Sequence, residues 1–362
     1  MPAPLRSTGS ARRPRPHRVL APMVAALLAV TVGAVATPVA SAAERPKWDT
    51  RVFAMVPSPG FPAYAHVHTN GRVYAGSYVD RGSTAPSRVF EWSPTGTPVR
   101  SWVVPGQALD RDHGVQVAQQ TRDGKLVLLE TSTSSILTLD LSTGRFQRVV
   151  RFPAGAVPNY ATWGPGGALF VTDYAEGVIW KVSPGSRTPR RWFTSPALEG
   201  VEFGTTGIRF RPGARDLLIT QQTAADGASA PTNGHLYRLP IRSDGRPGTL
   251  TTLWTSRPGD LPDGFGIGRS GHVYVALAGL ANQLVELTPY GREVARFPEV
   301  PLAGENGSPV PFDTPCNATF LGTRVLVANQ SAVAGDASHQ AILDVEVGEP
   351  GVAPYLPTTA TF

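Results

Sequence analysis

The stretch that decides the fold is residues 263–276, which read DGFGIGRSGHVYVA. Its first half places Phe265 and Ile267 at alternate positions, and Val273 and Val275 alternate in the same way after a glycine-containing turn. Apolar side chains with a period of two are typical of half-buried β-strands, because successive residues of a strand point to opposite faces. The stretch therefore predicts two strands joined by a tight turn.

The same pattern occurs six times, at intervals of 46 to 57 residues. The copies begin at six residues that we call the anchors: Ala63, His113, Asn159, Thr206, Asp263 and Cys316. Each copy continues into two further strand-like runs, with no helical pattern between them. Units of about four short strands are typical of propeller blades. The sequence thus predicts an all-β protein, a six-bladed β-propeller with four-stranded antiparallel blades around a central channel.

Two segments compete to complete the last blade. Residues 50–59, TRVFAMVPSP, resemble the outer strand of a blade, and residues 352–357, VAPYLP, offer an alternative at the other end of the chain. The sequence does not decide between them.

Residues 1–42 predict an export signal that is removed. Five arginines precede an apolar run at about residues 19–35, and Ala-Ser-Ala at residues 40–42 offers a cleavage site of small residues. We therefore expect a secreted, extracellular protein in which residues 43–362 form a single propeller domain. No stable membrane association is expected after cleavage.

The positive charge of the chain belongs largely to this signal. The full sequence carries a formal charge of +6, but without the five signal arginines it has 28 basic and 27 acidic residues. Nearly balanced charge gives no reason to expect nucleic acid as a partner. Cys316 is the only cysteine, so no internal disulfide is possible, and we expect a buried, inert thiol there.

The anchors should meet at one mouth of the channel, because the first strand of each propeller blade lines the axis. A small-molecule substrate or ligand is the partner expected at such a mouth. Asp263 is placed to contact it, although Pro-Asp-Gly is also an ordinary turn sequence, so this carboxylate is either a ligand or a turn residue.

Three of the repeated phrases resemble the SMP-30, gluconolactonase and strictosidine-synthase-like propellers. They are residues 157–173, VPNYATWGPGGALFVTD, residues 261–276, LPDGFGIGRSGHVYVA, and residues 314–329, TPCNATFLGTRVLVAN. In the lactonases, the resemblance implies a divalent cation held by a Glu, two Asn and an Asp from the first, third, fourth and fifth blades. It also implies that the Asp serves as a base.

Two of these four positions are kept in this chain. Asn159 and Asp263 match the third and fifth blades, whereas Ala63 and Thr206 replace the Glu and the second Asn. His113, at the second-blade anchor, could add a nitrogen ligand and favour Zn²⁺ over Ca²⁺ or Mg²⁺. The candidate metal ligands are therefore Asn159, Asp263, His113 and Thr206, and Asp263 is the candidate catalytic residue.

Two classes of function fit these residues. The first is a metal-dependent hydrolase of lactones or related esters, in which Asp263 takes a proton. The alternative is a non-catalytic ligand- or protein-binding propeller that has lost part of the metal site. A strictosidine-synthase-like condensation would need a Glu near the last blade, where only Cys316 and Asn317 occur.

His66 and His68 lie two residues apart on one strand and resemble a metal-binding pair. His68 comes directly before the turn at residues 69–71, and we therefore expect both side chains at an exposed edge.

Overall fold

Strands are the dominant regular secondary structure of the described residues, as the sequence predicts. The computed structural model describes residues 45–79, 82–224 and 232–362, and these contain 24 strands and three 3₁₀ turns, Pro165–Gly167, Pro196–Leu198 and Ala337–His339. The predicted export signal, residues 1–42, lies outside the described residues. None of the described helical segments has the length and apolar character that crossing a membrane requires.

The first twelve strands are β1 (Thr50–Met55), β2 (Phe61–Val67), β3 (Val73–Val79), β4 (Arg88–Trp92), β5 (Pro98–Val103), β6 (His113–Gln120), β7 (Leu126–Glu130), β8 (Ser135–Leu139), β9 (Phe146–Arg151), β10 (Pro158–Trp163), β11 (Leu169–Asp173) and β12 (Val178–Val182). The others are β13 (Arg190–Thr194), β14 (Thr205–Arg211), β15 (Asp216–Gln221), β16 (His235–Pro240), β17 (Thr251–Thr255), β18 (Pro262–Ile267), β19 (Val273–Leu277), β20 (Gln283–Leu287), β21 (Glu293–Phe297), β22 (Thr319–Leu321), β23 (Arg324–Asn329) and β24 (Ala341–Glu346).

The strands form antiparallel units of four in which neighbours in sequence are neighbours in the sheet. These units are β2–β5, β6–β9, β10–β13, β14–β17 and β18–β21. A short additional pairing of β3 with β6 makes the first two units one continuous sheet. The repeat predicted from the sequence therefore corresponds to one four-stranded antiparallel unit.

The amino-terminal segment completes the remaining unit. Strand β1 pairs with β24, from Thr50 opposite Val345 to Met55 opposite Ala341, beside β23 and β22. Residues 352–357 form no strand. The choice that the sequence left open therefore falls to the amino-terminal segment.

The first strands of the units contact one another in a cycle. Strand β2 contacts β6, and the contacts continue through β10, β14, β18 and β22 back to β2. Five of the six anchors lie within these strands, and Cys316 comes shortly before β22. The first strands therefore form a closed cycle of contacts, and we call the space that they enclose the channel.

Apolar residues of neighbouring units pack together in four buried clusters. The largest buried cluster includes Trp92, Trp163, Phe170 and Trp180, and it involves most of the units. In most units the turn between the first two strands uses a glycine with positive φ, such as Gly271 at 85°. That backbone conformation is sterically unfavourable for other residues, which explains the Gly that closes this turn in most of the repeats.

The first strands of several units are irregular where they enter the channel. The register with the second strand shifts between Ala63 and Ala65 in β2, and comparable shifts occur near the starts of β10, β14 and β18. A β-bulge locally breaks the alternation of side chains and redirects them, and such bulges are frequent beside functional sites. Here they help to direct polar side chains into the channel.

The prediction of an exposed edge at His66 and His68 is wrong, because both side chains are buried. The turn after β2 packs against the neighbouring unit: His68 Nε2 lies 3.1 Å from the carbonyl oxygen of Gly124, and the Thr69 amide donates to Gln120 Oε1 at 2.9 Å. Contact between units covers a turn that would be exposed on an isolated hairpin.

Candidate functional site

The four predicted site residues line one cavity at the mouth of the channel. This cavity, which we call the first cavity, has a volume of about 730 Å³, and His113, Asn159, Thr206 and Asp263 all contribute to its wall. The other two anchors, Ala63 and Cys316, are fully buried outside its lining. The structure thus brings together four of the six anchors, and these four are the residues predicted to form the site.

Asp263 is a buried carboxyl group with two side-chain donors. The Tyr64 hydroxyl donates a hydrogen bond to Oδ1, and Gln222 Nε2 donates to Oδ2 at 3.2 Å. Burial raises the pKa of Asp263 from 3.8 to about 7, although these donors act to lower it. A carboxyl that exchanges a proton near neutral pH is suited to general acid–base chemistry.

The turn interpretation of Asp263 is wrong, since the residue lies in β18. The glycine beside it has a different role. A Cβ atom on Gly264 would lie 2.5 Å from Cε1 of Tyr64 and 2.7 Å from Cβ of Asn317. The missing side chain makes space for the Tyr64 ring to reach Asp263 across the intervening strand.

Tyr64 owes its position to the bulge in β2. Its φ of 37° is left-handed, which is unusual for a non-glycine residue. Its ring stacks on that of Tyr160 with centroids 4.3 Å apart, and only 2% of the residue is exposed. The hydroxyl is therefore held against Asp263 by packing on a rigid partner.

Thr206 connects β14 to the strand that carries Asp263. Its hydroxyl lies 3.1 Å from the carbonyl oxygen of Pro262 and 3.1 Å from Oγ1 of Thr220, which in turn donates to the Asp263 carbonyl at 2.6 Å. Thr206 therefore has a clear role in positioning the backbone of Asp263.

Two amide side chains in the cavity wall have unsatisfied acceptors. Asn159 Oδ1 and Gln116 Oε1 are buried and have no hydrogen-bond partner in the described part of the chain. Buried polar atoms are nearly always paired in folded proteins, so these two oxygens indicate a donor supplied from outside the chain, by water or a ligand.

Both ring nitrogens of His113 face backbone carbonyls. Nδ1 lies 2.8 Å from the oxygen of Arg111, and Nε2 lies 2.7 Å from the oxygen of Ala85. Neither nitrogen offers a lone pair to a ligand in this orientation. The ring instead connects the loop before β6 to the loop before β4.

Two further tyrosines complete the polar wall. Tyr78 accepts a hydrogen bond from Gln116 Nε2 at 2.7 Å, and Tyr174 donates to Gln222 Oε1 at 2.9 Å. Burial raises the pKa of both hydroxyls, with a further contribution from the charge of Asp263. Both groups therefore remain protonated near neutral pH.

The anchor alignment missed Tyr64, Tyr78, Tyr174 and Gln222. The last three lie at or just beyond the ends of second strands, and a second strand antiparallel to the first ends at the mouth where the first begins. An alignment of second-strand ends could have found them. Tyr64 gave no comparable signal, because a bulge turns it inward.

The donors at the first cavity do not fit the cation cage that the family resemblance implies. Calcium binds about six to eight oxygen ligands. Asp263 already accepts from two side chains, the Thr206 hydroxyl is engaged with backbone, and both nitrogens of His113 face carbonyls. Among the four predicted ligands, Asn159 Oδ1 is then the main atom that remains free to coordinate a cation.

A possible metal site of a different kind lies elsewhere. His272, Glu286 and Glu349 each place a ligand atom within 4.8 Å of the others, and no second such group occurs among the described residues. Glu286 also pairs with Lys47 at 2.6 Å, and Glu349 accepts from Ser270 at 2.8 Å. Two of the three side chains therefore already have hydrogen-bond donors within the protein. The sequence did not predict this group of residues.

No protein-family model matches the chain, and no curated protein sequence matches it. Among solved structures, the calcium-binding protein regucalcin from Agrobacterium tumefaciens has a TM-score of 0.58 and 16% identity, covering 85% of this chain and 98% of its own. A catalytically inactive virginiamycin B lyase from Staphylococcus aureus with quinupristin has a TM-score of 0.53 and 15% identity, covering 80% and 82%. A gluconolactonase from Xanthomonas campestris has a TM-score of 0.51 and 16% identity, covering 80% and 97%.

The chain has the fold of these propellers. The resemblance predicted from the repeated phrases is therefore confirmed at the level of the fold. At such identities a shared fold carries no activity with it, because one fold supports many functions.

Proposed function

We propose that this protein hydrolyses a lactone or related ester in the first cavity, with Asp263 as the general base. The observation that carries the proposal is the buried carboxyl of Asp263, whose pKa of about 7 lets it accept and return a proton near neutral pH. The 730 Å³ cavity is large enough for a small organic substrate. The presence of a gluconolactonase among the structural neighbours is consistent with this substrate class.

The reaction needs one water molecule. The Asp263 carboxylate takes a proton from water as its oxygen attacks the carbonyl carbon, and the ester carbon–oxygen bond then breaks. Asp263 returns the proton to the departing oxygen, which yields a hydroxy acid from a lactone. Tyr78 can donate to the carbonyl oxygen as negative charge develops, because its hydroxyl hydrogen has no acceptor in the described residues.

A divalent cation has no step in this proposal, because the donor set of the first cavity does not fit one. The expectation of Ca²⁺, Mg²⁺ or Zn²⁺ held by Asn159, Asp263, His113 and Thr206 is therefore replaced by specific roles for these side chains. Asn159 binds the substrate through its unpartnered oxygen, while His113 and Thr206 support the wall. Elemental analysis of the purified protein checks this directly, and one equivalent of a cation lost on Asp263→Asn would contradict it.

The experiment measures proton release from a panel of five- and six-membered lactones and simple aryl esters, with and without chelator. We expect activity that survives chelator and rises with pH around 7. Asp263→Asn should lower kcat/KM by about 100-fold or more, as expected for a lost general base. Asp140→Asn is the matched control, since this carboxyl caps the β8–β9 turn outside the cavity and its loss should leave turnover unchanged.

A second candidate function is ligand binding without turnover. The unpartnered oxygens of Asn159 and Gln116 favour it, because they suit a neutral ligand with several hydroxyl or amide donors. Saturable binding of such a ligand by calorimetry, with no hydrolysis of any member of the panel, would favour this function over the first.

The architecture and location form part of the same proposal. We infer that the six units are the blades of a six-bladed propeller, supported by the cycle of first-strand contacts and by β1 in the last unit. We also infer export to the extracellular space, supported by the composition of residues 1–42. Material secreted by the producing cells should begin near residue 43, and material beginning at Met1 would contradict cleavage.

A further inference from the structure

A second cavity lies at the opposite ends of the first strands. It has a volume of about 560 Å³, and its wall includes Arg209 and Arg211 near the end of β14 and Thr319 of β22. Thr206, near the start of β14, lines the first cavity instead. The carboxyl-terminal residues 350–354 form another part of the wall.

Arg209 is a buried cation without a partner. Only 8% of the residue is exposed, and Nη1 of its guanidinium is buried with no hydrogen-bond partner among the described residues. Its one polar interaction is with the ring of Tyr160, whose centroid lies 4.8 Å from Cζ. Buried charges in proteins are nearly always paired, because removing an ion from water without compensation is costly.

The wall of the second cavity is basic. It contains three arginines, Arg209, Arg211 and Arg269, and no carboxylate is present in the described lining. Asp216 neutralises Arg211 through two contacts of 2.8 Å. Glu349 lies near the rim and is held by Ser270. The first cavity has the opposite character, because its wall contains carboxylates and no Arg or Lys.

Two further buried groups near Arg209 are also unsatisfied. The hydroxyl of Tyr160 and Nε2 of His66 have no partner in the described residues, and neither does Nη1 of Arg209. Burial lowers the pKa of His66 to about 3, and the charges of His68 and Arg209 act in the same direction. His66 is therefore neutral and can donate one hydrogen bond without adding a charge.

We propose that the second cavity binds a small oxyanion, the carboxylate of an organic acid or an inorganic oxyanion, through Arg209. The anion neutralises the only buried unpaired guanidinium among the described residues, and a guanidinium matches two oxygens of either kind of group. This site is separate from Asp263, and its existence does not depend on the hydrolase proposal.

Calorimetry in chloride-free buffer tests the site with three probes: sodium acetate, sodium phosphate and sodium sulfate. We expect saturable binding of at least one probe at one site per chain. Acetate binding identifies the carboxylate of an organic acid as the ligand chemistry, and binding of phosphate or sulfate alone identifies an inorganic oxyanion. The absence of saturable binding for all three would overturn the proposal.

Variants at Arg209 separate the site from general salt effects. Arg209→Met should abolish binding, and the probe should stabilise only the wild-type protein against urea, as linkage requires of a ligand that binds the folded state. Arg269→Met, which removes an exposed arginine from the same wall, should weaken binding less than tenfold. If Arg209→Met does not fold, Arg209→Lys should keep the charge but lose the two-pronged contact and bind at least tenfold more weakly. Equal affinity in wild type and either Arg209 variant would refute the assignment.

Discussion

Replacing Asp263 with Asn should make the folded protein more stable relative to wild type as the pH rises. Folding raises the pKa of this carboxyl from 3.8 to about 7, because its ionised form is poorly solvated in the interior. The unfolded chain therefore releases this proton at a lower pH than the folded chain. The free energy of unfolding of the wild type should therefore decline between pH 3.8 and about pH 7, the two pKa values, and level off above pH 7.

The magnitude follows from the pKa difference. At 1.36 kcal/mol per pH unit, the ionised carboxyl of Asp263 costs up to about 4 kcal/mol of folding free energy at alkaline pH. Between pH 5 and pH 8 the loss is about 3 kcal/mol, because part of the decline lies below pH 5. Asn has nearly the same size and cannot ionise, so Asp263→Asn should avoid this loss.

Urea unfolding at several pH values from 5 to 9 measures the free energy of unfolding of wild type and of Asp263→Asn. Subtracting one free energy from the other cancels the contribution of histidine titration, which both proteins share. Asp140→Asn serves as the control, because hydrogen bonds from Ser142 and Thr143 hold the pKa of Asp140 below its ordinary value and outside this range. A difference for Asp263→Asn that does not change with pH, or that favours wild type at pH 8, would refute the buried-acid reasoning.

Substitutions at three other positions probe the same network. Tyr64→Phe removes a donor that lowers the pKa of Asp263, so the midpoint of the pH–rate profile should move above 7; an unchanged midpoint would separate the hydroxyl from catalysis. Gly264→Ala places a methyl group against the Tyr64 ring and should cost about 1–3 kcal/mol in urea unfolding, whereas a neutral effect would show that the ring can move. Tyr160→Leu should shift the pH–rate midpoint set by Asp263 and weaken oxyanion binding at Arg209, because the Tyr160 ring contacts both Tyr64 and Arg209. Tyr160→Phe keeps the ring and should preserve the midpoint. A Tyr160→Leu protein in which only one of the two properties changes would contradict this role of the ring.

The strand units were predictable because their signal is local. Alternation in residues such as Phe265 and Val275, followed by a turn with glycine, defines two strands wherever it occurs, and repetition defines the unit. The equivalence of His113, Asn159, Thr206 and Asp263 also follows from repetition, and all four line the first cavity. Sequence alignment within one chain thus predicts which positions share an environment.

The chemistry at those positions was less predictable because it depends on orientation. The repeat places His113 correctly, but only the structure shows that both of its nitrogens face carbonyls. It places Ala63 at the first-blade anchor, whereas the bulge directs the next residue, Tyr64, toward Asp263. A one-residue bulge changes which side chain enters the channel without altering the apolar alternation on either side.

One aromatic pair joins the two ends of the channel. Asp263 accepts from Tyr64, Tyr64 stacks on Tyr160 at 4.3 Å, and the guanidinium of Arg209 lies over the other ring at 4.8 Å. Each ring therefore contacts a polar group that lines a different cavity. Because the carboxyl is sensitive to its hydrogen-bond donor, occupancy of the Arg209 site has a physical route to the acid–base properties of Asp263. The packing of two tyrosines thus connects a cavity lined by carboxylates with a cavity lined by arginines.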